Sequence, residues 1–74
     1  MQTKSLTAVI HREGGLFVSH CPELDIASQG DSIESARANL AEAVDLFLEC
    51  ADPLEVRDRL HGDIFVTTLP VTVG

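Results

Sequence analysis

Carboxylate side chains are the residues of this 74-residue sequence with the most obvious chemical potential. Eight of them fall between positions 31 and 58, where only Arg37 and Arg57 carry positive charge. Two-metal hydrolytic sites need several carboxylates converging on ions about 4 Å apart, so such a run raises the question of a metal centre. Without convergence, the same side chains form a charged surface for contact with another molecule. The eight residues are Asp31, Glu34, Glu42, Asp45, Glu49, Asp52, Glu55 and Asp58.

Histidine, serine and cysteine residues supply little further chemistry. The three histidines, at positions 11, 20 and 61, have no metal-ligand spacing between them. Ser19, His20 and Cys21 are adjacent on a predicted strand, where neighbouring side chains point to opposite faces and cannot act as nucleophile and base. The Gly14-Gly15 pair lacks the strand-to-helix context of a phosphate-binding loop. We therefore predict no catalytic residue, no metal site and no cofactor.

The charge balance and the size of the chain narrow the class of partner. Twelve acidic residues face five Lys or Arg, which gives a formal net charge of −7. A chain of this sign repels nucleic acid and anionic lipid and attracts basic proteins. Two cysteines, with no signal peptide or transmembrane run, indicate a reduced cytoplasmic protein without a disulfide. A chain this short makes one domain with a small core, which we expect to be completed by homo-oligomerisation to a dimer or tetramer.

Three strands are predicted before position 31. KSLTAVIH, residues 4–11, is rich in β-branched residues and is followed by Gly14-Gly15, a turn in which both glycines can take positive φ. LFVSHC then forms the returning strand, and LDIASQ, after Pro22, forms a third. The sequence does not decide which face of the second strand points to the core, because large apolar residues occupy both odd and even positions.

The first helix is predicted to begin near Ser32. Asp31 or Ser32 caps it, and Asp31 with Glu34 has the spacing of a capping box. An apolar stripe at helical spacing faces the sheet. Leu46 lies outside that stripe, either as a single exposed leucine or as part of a contact surface. The stripe consists of Ile33, Ala36, Leu40, Ala43, Val44, Phe47 and Ala51.

A second helix follows a marked break. Asp52 is the predicted cap, Pro53 occupies the first turn and Glu55 reaches back towards the cap. The helix should run to about His61, where Gly62 can adopt the left-handed cap.

The last segment, DIFVTTLPVTVG, completes the predicted fold as a strand. Phe65, Leu69 and Val71 share one parity, and Pro70 makes this an edge strand that can pair with a second copy across a two-fold axis. The order β-β-β-α-α-β describes an α+β domain with a small, mainly antiparallel sheet and helices packed on one face.

Residues 7–49, TAVIHREGGLFVSHCPELDIASQGDSIESARANLAEAVDLFLE, resemble the HicB-like antitoxins. The Pro-Glu-Leu step and the Gly-Asp-Ser helix start, at this separation, carry most of the likeness. The positions that match the family pattern are Gly14, Gly15, Pro22, Glu23, Leu24, Gly30, Asp31, Ser32, Glu34, Ala36, Asn39, Leu40, Glu42, Ala43 and Leu46.

The resemblance implies a single HicB-like domain, residues 1–74, with a partial ribonuclease-H-like fold and no nuclease activity. Proteins of this family bind HicA toxins, which are small basic messenger-RNA endonucleases, and block their active site. Many also carry a C-terminal DNA-binding domain, which we do not expect here because the sequence stops directly after the last predicted strand. In such a sheet a metal-binding carboxylate would lie on the central first strand, yet KSLTAVI contains no Asp or Glu.

We therefore expect a non-enzymatic, acidic module that masks the active site of a small basic HicA-like toxin and does not bind nucleic acid or membrane directly. The alternative is a stand-alone regulatory or structural oligomer of the same fold with no toxin partner. Candidate partner contacts are Glu23 and Asp25, near the strand-end loop, and Glu42 with Leu46 on the outer helix face. Plain solvated surface is the alternative for each of them.

Overall fold

A β-hairpin opens the fold of the computed structural model, which describes residues 4–74; residues 1–3 of the predicted domain lie outside it. The hairpin joins β1 (Val9–Glu13) to β2 (Leu16–Cys21) through a turn in which Gly14, but not Gly15, has a positive φ, 59°. β3 (Ile26–Gly30) pairs with the other edge of β2, which gives an antiparallel sheet of order β1-β2-β3. Three strands are confirmed, although β1 begins five residues later than the predicted start at Lys4.

The inward face of β2 carries small side chains. Ser19 and Cys21 are buried, whereas Leu16 on the other parity is exposed. Cys21 forms a core cluster with Leu24, from the turn after β2, and with Leu40. Half-buried apolar residues from every part of the fold pack around this cluster: Leu6, Ile26, Val44, Phe47 and Leu60.

Helix α1 (Ile33–Cys50) begins with a capping box one position later than predicted. The Ser32 hydroxyl accepts a hydrogen bond from the Ser35 amide at 3.0 Å, and the Ser35 hydroxyl accepts one from the Ser32 amide at 3.0 Å. Asp31 instead accepts a hydrogen bond from the Ser35 hydroxyl. The Asp31–Glu34 capping box is therefore wrong, because Ser32 is the N-cap, which makes Ser35 the third helical residue and Glu34 only the second.

Two side-chain hydrogen bonds and the middle of the apolar stripe hold α1 on the sheet. Ala36 is fully buried, and its carbonyl accepts a 2.9 Å hydrogen bond from the buried Ser19 hydroxyl. The Asn39 side-chain amide donates to the Gln29 carbonyl at 2.8 Å. Ile33 does not follow the predicted apolar stripe, because it is 53% exposed in the first turn. An apolar stripe shows which side of a helix faces the sheet, but not how far along the helix the sheet extends.

Helix α2 (Pro53–Leu60) starts as predicted, since an Asp52 carboxylate oxygen accepts the Leu54 amide at 2.8 Å. It also ends near His61 as predicted, but His61 is the C-cap with helical φ and ψ and Gly62 does not adopt the left-handed conformation. Within residues 4–74, neither helix combines the length and apolar character needed to cross a bilayer.

Arg59 fixes α2 against the rest of the domain. One guanidinium nitrogen donates to the Leu24 carbonyl, and the guanidinium carbon lies 5.0 Å from the centre of the Phe47 ring. The other nitrogen donates to Glu55 at 3.0 Å. Glu55 therefore pairs forwards along the helix and does not reach back to the cap, which corrects that prediction.

Residues 63–74, which we call the 63–74 segment, do not form the predicted last strand. The order of the described elements is β-β-β-α-α, and every residue of this segment is exposed. The fold class remains α+β, with antiparallel strands. The β-branched and alternating pattern describes a segment suited to a sheet, but a strand also requires pairing with a neighbouring strand. Within residues 4–74, this segment pairs with neither edge strand of the sheet.

The protein exposes more surface than a compact chain of its mass. Its accessible surface is 6074 Å², against roughly 4,500 Å² for a folded monomer of 8.0 kDa. Its radius of gyration is 14.3 Å, against about 11 Å for a compact domain of this length. The excess reflects the small core and the exposed 63–74 segment.

Replacing Gly30 with alanine should destabilise the domain by about 1–3 kcal/mol, because a Cβ atom at this position would lie 2.5 Å from the Ala36 amide nitrogen. Urea unfolding followed by circular dichroism measures this change. Gly15→Ala is the matched control, since nothing lies within 4 Å of a Cβ atom there. Equal stability of the two variants would contradict a close approach of α1 to β3.

Candidate protein-binding surface

The acidic face of α1, formed by Glu42, Asp45, Leu46 and Glu49, is the exposed surface with the clearest chemical character. The three carboxylates lie on the side of the helix opposite the buried Ala36 and Leu40, and Leu46 lies at the edge of that arc. Leu46 is 61% exposed among the three carboxylates. The structure thus places two predicted partner contacts, Glu42 and Leu46, one turn apart on a single accessible face. Whether a partner binds there stays a prediction.

Asp25 occupies the turn between β2 and β3 and is also accessible. It has a positive φ of 54°, a conformation that Asp tolerates better than most residues, and its side chain is 88% exposed. One carboxylate oxygen lies 3.0 Å from Nε2 of His20 on the adjoining strand. Asp25 can therefore contact a partner, at a different part of the surface from the acidic face of α1.

Glu23, the fourth predicted contact, has an internal structural role that the sequence did not indicate. Its carboxylate accepts hydrogen bonds from the Thr7 amide at 2.9 Å and from the Thr7 hydroxyl at 2.8 Å. The Cys21 thiol also donates to it at 3.6 Å. These contacts tie the chain before β1 to the turn after β2. The two residues lie sixteen positions apart, and neither belongs to a periodic pattern, so only the folded chain shows the pairing.

The pKa of Glu23 reflects two opposing effects. Partial burial raises the pKa of the carboxyl group, but the hydrogen bonds from the Thr7 hydroxyl, from the amides of Glu23 and Thr7 and from the Cys21 thiol together lower it below its ordinary value. A carboxylate whose pKa is lower in the folded than in the unfolded chain stabilises the fold above the unfolded pKa. That stabilisation is lost as the pH falls through the folded pKa.

The Ser19-His20-Cys21 run belongs to the core and its edge. Ser19 is fully buried and donates to the Ala36 carbonyl, and burial is the largest effect raising the pKa of the Cys21 thiol. His20 points to the opposite face, towards Asp25, as strand alternation predicts. Cys21 and Cys50 are both free thiols. Across residues 4–74, no three His, Cys, Asp or Glu side chains come close enough together to hold a metal ion.

The predicted oligomer contacts lie in the 63–74 segment. Phe65 is 86% exposed and Leu69 82% exposed, and Val71 is exposed as well. These apolar side chains therefore have little contact with the domain. Their role in self-association stays a prediction, since a segment without a strand partner in one chain can pair with a strand of another.

Comparisons with protein-family models, with curated proteins and with solved structures find no match to this chain. The functional interpretation therefore rests on the residues and their geometry, together with the resemblance described above.

We expect Glu23→Gln to lower the free energy of unfolding by about 1–2 kcal/mol at neutral pH, because hydrogen bonds to an ionised carboxylate are replaced by weaker bonds to a neutral amide. The difference should shrink as the pH falls through the lowered pKa of Glu23, where the wild-type side chain also becomes neutral. Urea titrations across acidic and neutral pH measure both quantities. Glu42→Gln, on the exposed face of α1, is the control. A Glu23→Gln deficit that is independent of pH would contradict a role for the charge.

Proposed function

We propose that this chain is a cytoplasmic antitoxin of the HicB type, with a partial ribonuclease-H-like fold, that neutralises a small basic messenger-RNA endonuclease by masking its active site. The acidic face of α1 is the observation that carries this proposal. It presents one exposed leucine among three carboxylates on a chain of net charge −7. Such a surface fits a basic protein partner and repels a phosphate backbone, so the chain is proposed to bind protein and not RNA.

Electrostatics on this face would guide the encounter more than it would strengthen the final complex. Complementary charge raises association rates and selects partners, whereas exposed ion pairs contribute only about 0.2–1 kcal/mol each. An exposed Lys- or Arg-rich surface is what an RNA-cleaving enzyme needs to bind its substrate. Covering that surface with carboxylates would therefore compete directly with RNA.

Apolar contact must then provide most of the affinity. Leu46 is the apolar residue of the acidic face, and burial of a leucine side chain contributes roughly 1.5–3 kcal/mol. A standard interface takes about 800 Å² from each partner, which is a small part of the 6074 Å² available here. Ser19 and Leu40 hold the inward side of α1 against the sheet and Asn39 hydrogen-bonds its flank, so little ordering entropy would be lost on binding.

A stand-alone oligomeric module of the same fold, with no toxin partner, is the second candidate. The exposed apolar side chains of the 63–74 segment favour it, because self-association would bury them. The two candidates differ in what they require of the acidic face of α1. An antitoxin uses it for binding, whereas an oligomer formed through the 63–74 segment leaves it in solvent.

The decisive experiment is co-purification with the product of the adjacent reading frame, followed by titration calorimetry and an RNA-cleavage assay. For a small basic ribonuclease partner, Leu46→Asp should weaken binding by roughly 10- to 100-fold and restore cleavage. Glu42→Lys should slow association and reduce the dependence of affinity on salt.

Glu13→Lys is the matched charge control, since Glu13 is exposed at the end of β1 and away from α1. It should change the affinity by less than about threefold. Binding that is insensitive to both α1 variants would overturn the proposed surface. Absence of any small basic ribonuclease partner would favour the second candidate.

A further inference from the structure

A groove lies between the chain that precedes β1 and the side of α1. It has a volume of about 390 Å³, and its apolar lining includes Leu6, Leu40 and Val44. The buried Cys21 also lines it, and Lys4 and Arg37 supply positive charge. The groove therefore combines apolar and polar groups with two positively charged side chains, and the Glu23 carboxylate is bonded to Thr7 and Cys21 of its lining.

The 63–74 segment has the complementary chemistry. Residues 64–74 contain no charged side chain, and Asp63 at the start of the segment is negative. Phe65, Val66 and Leu69 are each more than 70% exposed. Residues 64–74 can therefore be buried without desolvating a charged side chain, whereas the acidic helices cannot.

The surface areas agree with burial of this segment in an assembly. The chain exposes 6074 Å², about 1,600 Å² more than a compact monomer of its mass. A stable interface buries about 800 Å² from each partner. Exchange of the segment between two copies creates two equivalent contacts, so each copy would bury its own segment and its own groove.

Charge determines which surfaces two copies can bring together. Each copy has a net charge of −7, so contact between two acidic faces of α1 would be repulsive. The groove contains two of the five Lys and Arg residues of the chain. Approach of the uncharged segment to this groove avoids that repulsion, and Asp63 can be neutralised by Lys4 or Arg37.

We propose that the 63–74 segment of one copy occupies the groove of a second copy, and that the second copy returns its own segment in the same way. In the isolated chain the segment and the groove are both present, yet every residue of the segment is exposed. Each copy thus offers both an exposed segment and an accessible groove. Two copies can therefore exchange their segments reciprocally.

Sedimentation equilibrium at micromolar concentrations tests the proposal. The wild-type protein should form a dimer, and Phe65→Asp should raise its dissociation constant by roughly 100-fold, as loss of a central anchor does. Phe65→Leu should retain the dimer. Because Phe65 is 86% exposed, circular dichroism of the aspartate variant should remain that of the folded domain. A monomeric wild-type protein, or a dimer unaffected by Phe65→Asp, would overturn the proposal.

Disulfide trapping locates the receptor. In a Cys50→Ser background, which removes the exposed native thiol, Ala41→Cys in the groove is combined with Thr67→Cys in the segment. Mild oxidation with oxidised glutathione should yield a covalent dimer. The control combines Thr67→Cys with Glu42→Cys, one residue along α1 but on its acidic face, and should not cross-link. A covalently closed monomer would show that the segment fills its own groove, and equal cross-linking of both pairs would show that the groove is not the receptor.

The exchange does not depend on a toxin. Leu46→Asp should leave the dimer intact, because Leu46 lies on the acidic face of α1. Phe65→Asp should conversely leave any toxin binding at that face unchanged. The two proposals can therefore fail separately.

Discussion

Because Gly30 has no side chain, the backbone of α1 at Ala36 can approach the end of β3 closely. The buried Ser19 hydroxyl satisfies the Ala36 carbonyl from the sheet side, and Asn39 reaches the Gln29 carbonyl. These polar contacts set the rotation of α1 about its own axis, which apolar packing by Leu40 alone would define less strictly. The side of the helix that faces solvent is thereby fixed, and with it the position of every carboxylate on that side.

The acidic residues fall into two groups, those whose side chains stabilise the fold and those exposed along α1. Those near the ends of elements are used by the fold: Asp52 caps α2, Glu55 pairs with Arg59, and Glu23 holds the chain before β1. Glu42 and Asp45 lie in the second half of α1 and Glu49 in its last turn, where the backbone amides are already bonded and a carboxylate has no capping role. Carboxylates at such positions add repulsion within the chain and keep it soluble, so the fold itself does not depend on them.

Local sequence signals predicted the elements well, and contacts between distant segments poorly. Asp52 followed by Pro53 located the start of α2, and the apolar stripe located Ala36 and Leu40 in the core. The capping box was misplaced by one position, since Asp31 and Ser32 offer equivalent caps and only the backbone selects between them. The hydrogen bonds of Glu23 to Thr7 could not be predicted, because no pattern relates the two. The predicted last strand, residues 63–74, had strand composition, but composition does not supply the neighbouring strand.

Several residues that carry the resemblance to HicB-like antitoxins have structural roles in this chain. Leu24 is buried, Gly30 allows the close approach of α1, and Ser32 caps that helix. A pattern made of such residues indicates a scaffold and says little about a partner. The features that distinguish one kind of partner from another lie outside the core, on the acidic face of α1 and in the 63–74 segment. These two surfaces suit different partners. Like charges keep two acidic faces apart, whereas an uncharged segment offers no long-range attraction to a basic protein. The two proposed contacts therefore use separate surfaces and would not compete.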